Sequence, residues 1–407
     1  MRVHIFLVAA EESGDRLGAS LIAAIRQRTQ GQAHFSCVGG PHMVAAGVPS
    51  LFPLEEIGMI GFAGIPARLP RIFRRIRETA DAIISAKPDA LVIIDSPEFT
   101  HRVARRVRAR APEIPIIDYV CPSVWAWRPG RARAMHAYID HVLALLPFEP
   151  KIMIELGGPP CRYVGHPLTE RLGDLRPKDL EKRLRLADPP LLLVLPGSRT
   201  SEIRRMAPVF GAALARVAEL FGPIEVVVPA VPRLAEIVRS AIAPWDVSAR
   251  VIVDIDEKNE AFRTARAALT KSGTSTLELA LSGVPMVAAY KVRLIDELAA
   301  RLLVNVPSVI LANLALGENV VPEFLQRDCT PDRLASALLP LLADTEERRQ
   351  QVEAFARLDA IMEVGQASPS DRAADVVIDC ASRQSQSSRD SGAGATTVRR
   401  NLPGLAG

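Results

Sequence analysis

The 407-residue chain holds only five cysteines, Cys37, Cys121, Cys161, Cys329 and Cys380, with no C-x-x-C pair among them. That absence argues against a zinc site and against a secreted disulfide framework. Long apolar runs are missing too: no segment reaches the roughly 18 uninterrupted apolar residues of a membrane-spanning helix. The Val3–Ala10 run is short and broken by Glu11-Glu12, so it reads as a buried first strand rather than a signal peptide. This points to a cytoplasmic protein. Net charge is only +4, so the whole chain is no polyanion binder and a nucleic-acid partner is not expected. No G-x-G-x-x-G, Walker or G-x-S-x-G motif occurs, which disfavours nicotinamide, flavin, P-loop and serine-hydrolase chemistry. The seven histidines are dispersed without metal-ligand spacing. Neither a metal nor a cofactor is expected.

What is present is globular: 48% hydrophobic and 24% charged residues, over a length that suits two domains of about 100–200 residues each. Short apolar runs alternate with helical patterns almost throughout. Val3–Ala9, Ala90–Ile94, Ile114–Val120 and His141–Leu145 read as strands of a first set. Leu191–Leu195, Ile224–Val228, Val251–Ile255, Ala267–Leu269 and Pro285–Ala289 form a second. Continuous rather than alternating apolar runs suit parallel strands covered on both faces. Strands separated by helices imply doubly wound α/β sheets, hence two Rossmann-like domains facing a cleft. The expected boundaries are an N-terminal domain over 1–165, a linker over 166–190, a C-terminal domain over 191–381 and a disordered Ser/Arg/Gly-rich tail over 382–407.

Five loops at strand ends could carry chemistry, since ligands of open α/β sheets sit at the carboxyl edge. In Glu11-Glu12-Ser13-Gly14-Asp15, Ser13 and Asp15 serve either a ligand or a helix cap, and spacing does not choose. In Asp95-Ser96-Pro97, Pro97 suits the first helical position and Ser96 the cap before it. That leaves Asp95 with no capping duty, and two roles stand open for it: a general base on a bound hydroxyl, or a buried acceptor of nearby backbone amides. Trp125 and Trp127, in Pro122-Ser123-Val124-Trp125-Ala126-Trp127-Arg128, line a ligand or simply pack. In Pro196-Gly197-Ser198-Arg199, followed by Glu202, a small-residue turn admits a ligand close to backbone, and Arg199 offers a fork matched to phosphate. Lys271-Ser272-Gly273-Thr274-Ser275 opens a helix, and a Gly/Ser/Thr turn on a helix start is a ready diphosphate pocket. Ser275 and Glu278 have capping-box spacing, and Glu278 could equally accept ribose hydroxyls. A helix from about 67 to 86 carries Arg68, Arg71, Arg74, Arg75 and Arg77 on its first turns, after the apolar 57–66 stretch. It packs on its own sheet or meets anionic headgroups.

Taken together, VAAEESGDRLGASL, IIDSPEF, YVCPSVWAWR, LPFE, VGHP, LPGSR and SGTSTLELAL, in this order over about residues 3–380, resemble the lipid-A-disaccharide synthases. The resemblance implies GT-B architecture and a metal-independent, inverting transfer. UDP-2,3-diacylglucosamine would be joined to 2,3-diacylglucosamine 1-phosphate, giving a β-1,6-linked disaccharide 1-phosphate and UDP. It implies that Asp95 is the base, and that Arg199, Glu278 and Asn313 lie on the UDP side with Ser198, Gly273, Thr274 and Ser275. Ser13, Gly14, Asp15 and Trp125 would then line the acceptor loop. It also implies a membrane-docking surface over 57–77, a peripheral position on the inner face of the inner membrane, and a homodimer through the C-terminal segment. The chain departs from the family at Ala10 and Glu12, where Gly and Ala are usual, and at Glu98 and Cys121. Two rival readings keep the fold: another UDP-sugar enzyme, such as a 2-epimerase or a transferase with a soluble acceptor, or an inactive UDP-sugar- or lipid-binding homologue.

Overall fold

The computed structural model describes residues 3–57, 65–292 and 308–394, with side chains from 70 in the second stretch and to 384 in the third. The chain forms two compact units, one of residues 1–167 plus 367–407 and one of residues 168–366. Unit 1 carries six parallel strands: β1 (His4–Ala9), β2 (His34–Val38), β3 (Ala90–Ile94), β4 (Ile116–Tyr119), β5 (His141–Ala144) and β6 (Cys161–Tyr163). Their order is β2-β1-β3-β4-β5-β6. Unit 2 carries β7 (Leu191–Leu195), β8 (Glu225–Pro229), β9 (Ala249–Ile252), β10 (Ala267–Lys271), β11 (Met286–Tyr290) and β12 (Glu323–Leu325). They are parallel too, ordered β12-β11-β10-β7-β8-β9.

Burial on both faces explains the unbroken apolar strands. Every residue of β3 is buried. Phe6, Val8, Leu91 and Ile93 meet Ile76, Ala80 and Ile83 of helix Ile65–Ala86 and Val103, Ala104 and Val107 of helix Pro97–Arg110. Ile5, Leu7, Val92 and Ile94 face the other way, onto Leu21, Ile22 and Ile25 of helix Glu12–Arg28. Alternate residues of one strand thus enter opposite cores. The sequence reading omits β2, β6 and β12, which are short or only partly buried and lack a continuous apolar run. It also places the β9 strand too late. Asp254 is the cap of helix Ile255–Thr264, its carboxylate accepting from the amides of Asp256 at 2.9 Å and Glu257 at 3.1 Å.

Two expected boundaries need correction. The segment over 166–190 is not a loose linker, since from Leu168 onward it is built into unit 2. Leu172 and Leu175 are buried, and Arg185 donates to four carbonyls: Arg263 at 2.8 Å, Phe262 at 2.9 Å, Ser282 at 2.9 Å and Gly283 at 3.0 Å. Burial pulls the Arg185 guanidinium down to about 10. The second correction concerns the C-terminus. Helix Pro369–Gly394 belongs to unit 1, not to the second domain, and Ala373, Ala374, Val377 and Ala381 cover the same sheet face as helix Glu12–Arg28. Arg28 pairs with Asp371 and Asp375 along this seam. The helical backbone runs past 382 to Gly394, where a disordered tail was expected, because extending an anchored helix costs far less than starting one.

Replacing Arg185 by Met strands four carbonyl acceptors in a buried site. The expected loss is about 2–4 kcal/mol of stability, read from urea unfolding.

Candidate active site

Each sheet has one point where strand order reverses and the crossovers leave in opposite directions, which opens a crevice at the carboxyl edge. In unit 1 that point lies between β1 and β3. Ser13, in the first turn after β1, donates its hydroxyl to Asp95 Oδ2 at 3.3 Å, directly after β3. Asp95 and Ser96 both hold left-handed backbone, φ +52° and +48°, which costs a non-glycine residue about 1–2 kcal/mol. Three bonds sustain this elbow. The Asp95 amide donates to Tyr119 O at 3.1 Å, Thr100 Oγ1 donates to Asp95 O at 2.7 Å, and the Ser96 amide donates to Asp95 Oδ1 at 2.7 Å. Ser96 does stand at the cap of helix Pro97–Arg110, but its hydroxyl makes no capping bond. Asp95 thus accepts a neighbouring backbone amide on one oxygen, one of the two roles the sequence left open, while Oδ2 faces Ser13.

Asp15 is structural. It is fully buried, and its two oxygens accept the amides of Gly40 at 2.8 Å, His42 at 2.8 Å and Met43 at 3.0 Å, capping the short helix Pro41–Ala45. A Cβ at Gly40 would lie 2.7 Å from Asp15 Oδ2, so only glycine fits. Gly14 is likewise a packing position, since a Cβ there would stand 3.2 Å from Ala9 Cβ and from Ile94 O. Both residues shape the loop that the acceptor expectation names, through packing and amide bonds. Ala10 is buried, whereas Glu12 is exposed and pairs with Arg16 at 2.6 Å.

Trp125 reaches inward: its Nε1 donates to Glu149 Oε1 at 3.2 Å, and its ring meets Phe148 edge-on at 5.3 Å. Glu149 also accepts the amides of Leu145 at 3.1 Å and Leu146 at 2.9 Å, so it clamps the loops after β4 and β5 together. Burial pushes its carboxyl up to about 7 despite these three donors. Trp127 is exposed with Arg128 over its ring at 4.5 Å. Sequence reasoning also missed a buried polar cluster on β4 and helix Pro97–Arg110. His101 Nε2 lies 3.0 Å from Asp118 Oδ2, and His101 Nδ1 lies 3.1 Å from the Tyr138 hydroxyl.

In unit 2 the reversal lies between β7 and β10. Gly197 (φ +135°) and Gly273 (φ +157°) open the two turns there, ahead of helices Thr200–Phe221 and Thr274–Leu281. Glu202 is the buried pivot. Its Oε2 accepts the Ser198 amide at 3.1 Å, and its Oε1 lies 3.2 Å from Lys271 Nζ and 3.9 Å from Arg199 Nη1. The Arg199 side chain itself is 77% exposed. The expected capping box does not form: Gly273 is the N-cap, no side chain caps the helix, and Ser275 falls inside the first turn. Glu278 instead accepts from Lys258 Nζ at 2.8 Å. Asn313 is committed to the chain. Its Nδ2 donates to Val321 O at 3.0 Å and its Oδ1 accepts the Val321 amide at 2.9 Å, bracing the turn after helix Leu311–Leu316.

Glu202, Lys271 and Lys258 stood in the sequence without an assigned role. The signal for the first two is their place after adjacent strands, which needs the strand order. Among the described residues no group of three or more His, Cys, Asp or Glu is placed to hold a metal ion.

Two doubly wound parallel units, each with a polar turn at its switch point, define the GT-B class of fold. Solved structures with this fold include MurG of Acinetobacter baumannii, with a TM-score of 0.56 at 16% identity, covering 92% of this chain and 99% of that one. Another is a UDP-GlcNAc 2-epimerase from Neisseria meningitidis, with a TM-score of 0.57 at 12% identity, covering 93% and 99%. Within that class, a family model described as lipid-A-disaccharide synthetase matches residues 5–377. Lipid-A-disaccharide synthases from Nitrobacter hamburgensis and Bradyrhizobium diazoefficiens are each 58% identical, over 92% of this chain and 95% of theirs. One from Rhodospirillum centenum is 43% identical, over 92% and 94%. The chain belongs to the lipid-A-disaccharide synthase family.

With the folded pKa of Glu149 near 7 against an ordinary 4.5, the folded state binds the extra proton. Its stability contribution is complete below pH 4.5 and is lost as pH rises through 7. Glu149→Gln is expected to flatten that decline, read from thermal unfolding across the window.

Proposed function

We propose that this chain, whose relatives are named lipid-A-disaccharide synthases, joins UDP-2,3-diacylglucosamine to 2,3-diacylglucosamine 1-phosphate with inversion. The observation that carries the reading is the strained Asp95–Ser96 elbow at the unit 1 switch point, with Asp95 Oδ2 turned to Ser13. Strain of this kind is retained where the direction of a side chain matters. Asp95 takes the proton of the acceptor's 6-hydroxyl as that oxygen attacks the anomeric carbon of the donor. The bond from that carbon to the diphosphate breaks, and its electron pair leaves with UDP.

Unit 2 is the donor side. Arg199 is exposed and forked for phosphate oxygens, and the Thr274 and Ser275 amides lie in the first turn of their helix. Glu278, held by Lys258, is the acceptor for ribose hydroxyls, and Asn313 acts by shaping the turn behind it. These groups stabilise charge where it develops on the leaving diphosphate.

The membrane face is the helix start. Of the 57–77 stretch, residues 58–64 lie outside the described residues. Arg75 is bound to Glu56 at 2.5 Å and Glu78 at 2.6 Å, whereas Arg71, Phe73, Arg74 and Arg77 are exposed. An apolar ring among arginines suits an anionic lipid surface, in keeping with acyl-chain substrates and a peripheral place on the inner membrane. Among the described residues no helix is long and apolar enough to cross a membrane.

The deciding experiment is a detergent-micelle assay with both substrates and a chelator present, following UDP and disaccharide by mass spectrometry. Acceptor-dependent appearance of both products supports the reading. UDP binding without products favours an inactive or differently specific homologue. Asp95→Asn is expected to lower turnover by about 10²–10⁴-fold while UDP affinity stays within twofold, and a substantially active variant removes the base assignment. Reversing Arg71, Arg74 and Arg77 to Glu is expected to abolish sedimentation with anionic vesicles and leave UDP affinity unchanged.

A further inference from the structure

Lys271 ends β10, and Glu202 stands in the first turn of the helix that follows the neighbouring strand β7. Their contact, Nζ to Oε1 at 3.2 Å, bridges the two turns at the unit 2 switch point. The Glu202 side chain is 5% exposed and its other oxygen is spent on the Ser198 amide. One carboxylate is therefore shared between two cations, Lys271 at 3.2 Å and Arg199 at 3.9 Å. A buried carboxylate needs one cation to offset its charge, and the pair's surplus is one positive charge.

The position of the ammonium tells which way that surplus faces. Lys271 Nζ lies 4.7 Å from the centroid of the Tyr290 ring, and a Cβ on Gly273 would stand 3.2 Å from it. The missing side chain at Gly273 thus leaves open the space between the ammonium and the first turn of helix Thr274–Leu281. Lysine's compact charge carries three donors, of which Glu202 uses one. Its side chain is 19% exposed, against 77% for Arg199. A cation in a partly dehydrated site acts more strongly on an approaching anion than one in open water.

We propose that Lys271 contacts the diphosphate of the donor and stabilises the charge left on it as the sugar–oxygen bond breaks, with Glu202 as its holder. This rests on the assignment of unit 2 to the UDP-sugar. No proton need move: the electron pair of the broken bond stays on the diphosphate oxygen, and the Lys271 ammonium donates a hydrogen bond to that group.

A purely structural Lys271, present only to neutralise Glu202, is the competing reading, and a second substitution separates the two. Lys271→Met is expected to weaken UDP about tenfold and lower kcat about a hundredfold, leaving affinity for uridine unchanged. Lys271→Arg, which keeps the charge, is expected to recover most of the UDP affinity and serves as the folded comparison. In Glu202→Gln/Lys271→Met no buried carboxylate is orphaned, and glutamine still accepts from the Ser198 amide. Persistent weak UDP binding and low kcat in this double variant, with thermal stability restored, supports the proposal. Recovery to within a few-fold of Glu202→Gln alone overturns it. Arg199→Ala is the control on the underlying assignment. If that variant binds UDP normally, the donor-side reading itself fails; if it binds UDP weakly while the double variant recovers, only the role of Lys271 is lost.

Discussion

Parallel pairing of buried strands is the constraint from which the rest of this molecule follows. Because β3 and its neighbours are covered on both faces, every strand of a sheet ends at one edge, and the polar loops collect there. Crossovers wind one way on one side of the starting strand and the other way on the opposite side. The crevice between them falls between β1 and β3 in unit 1 and between β7 and β10 in unit 2. Ser13 and Asp95 meet at the first, and Glu202 and Lys271 at the second, although 82 residues separate the first pair in the chain.

Buried charge in this protein is used mainly to hold backbone. Asp15 gathers three amides, Glu149 gathers two and an indole, and Arg185 gathers four carbonyls. Each replaces lost hydration with several short bonds, which is the condition under which a buried charge is tolerated. Against that background the groups left with unused capacity stand out. Asp95 keeps one oxygen toward the crevice, Arg199 extends into solvent, and Lys271 shares its single carboxylate with Arg199. A carboxylate with a free side stands at the switch point of unit 1, and cations stand at that of unit 2.

Much of this could be read from residues alone. Nine of the twelve strands among the described residues show as apolar runs in the sequence, and Asp95, Arg199 and the Gly273 turn fall at strand ends as expected. What misled was local capping logic. Ser275 and Glu278 have capping spacing, yet the cap is Gly273, two residues earlier, and Glu278 finds Lys258 on another helix. Ser96 sits at a cap position but its left-handed backbone leaves its hydroxyl out of the cap. The backbone partners of Asp15 and Asn313 lie 25 and 8 residues away, so local spacing gives no sign of them.

The sequence by itself determined the two doubly wound sheets, the loops at their carboxyl edges and the family, because strand burial and turn chemistry are local properties written in residue type. Tertiary structure alone decided that the C-terminal helix returns to unit 1, and that 168–190 is built into unit 2. It also decided which charges are spent. Whether a polar side chain is spent on backbone depends on which partners the fold brings within about 3 Å of it, as the Asp15 carboxylate and the Asn313 amide illustrate. That proximity is set by strand order, which no stretch of the chain encodes on its own.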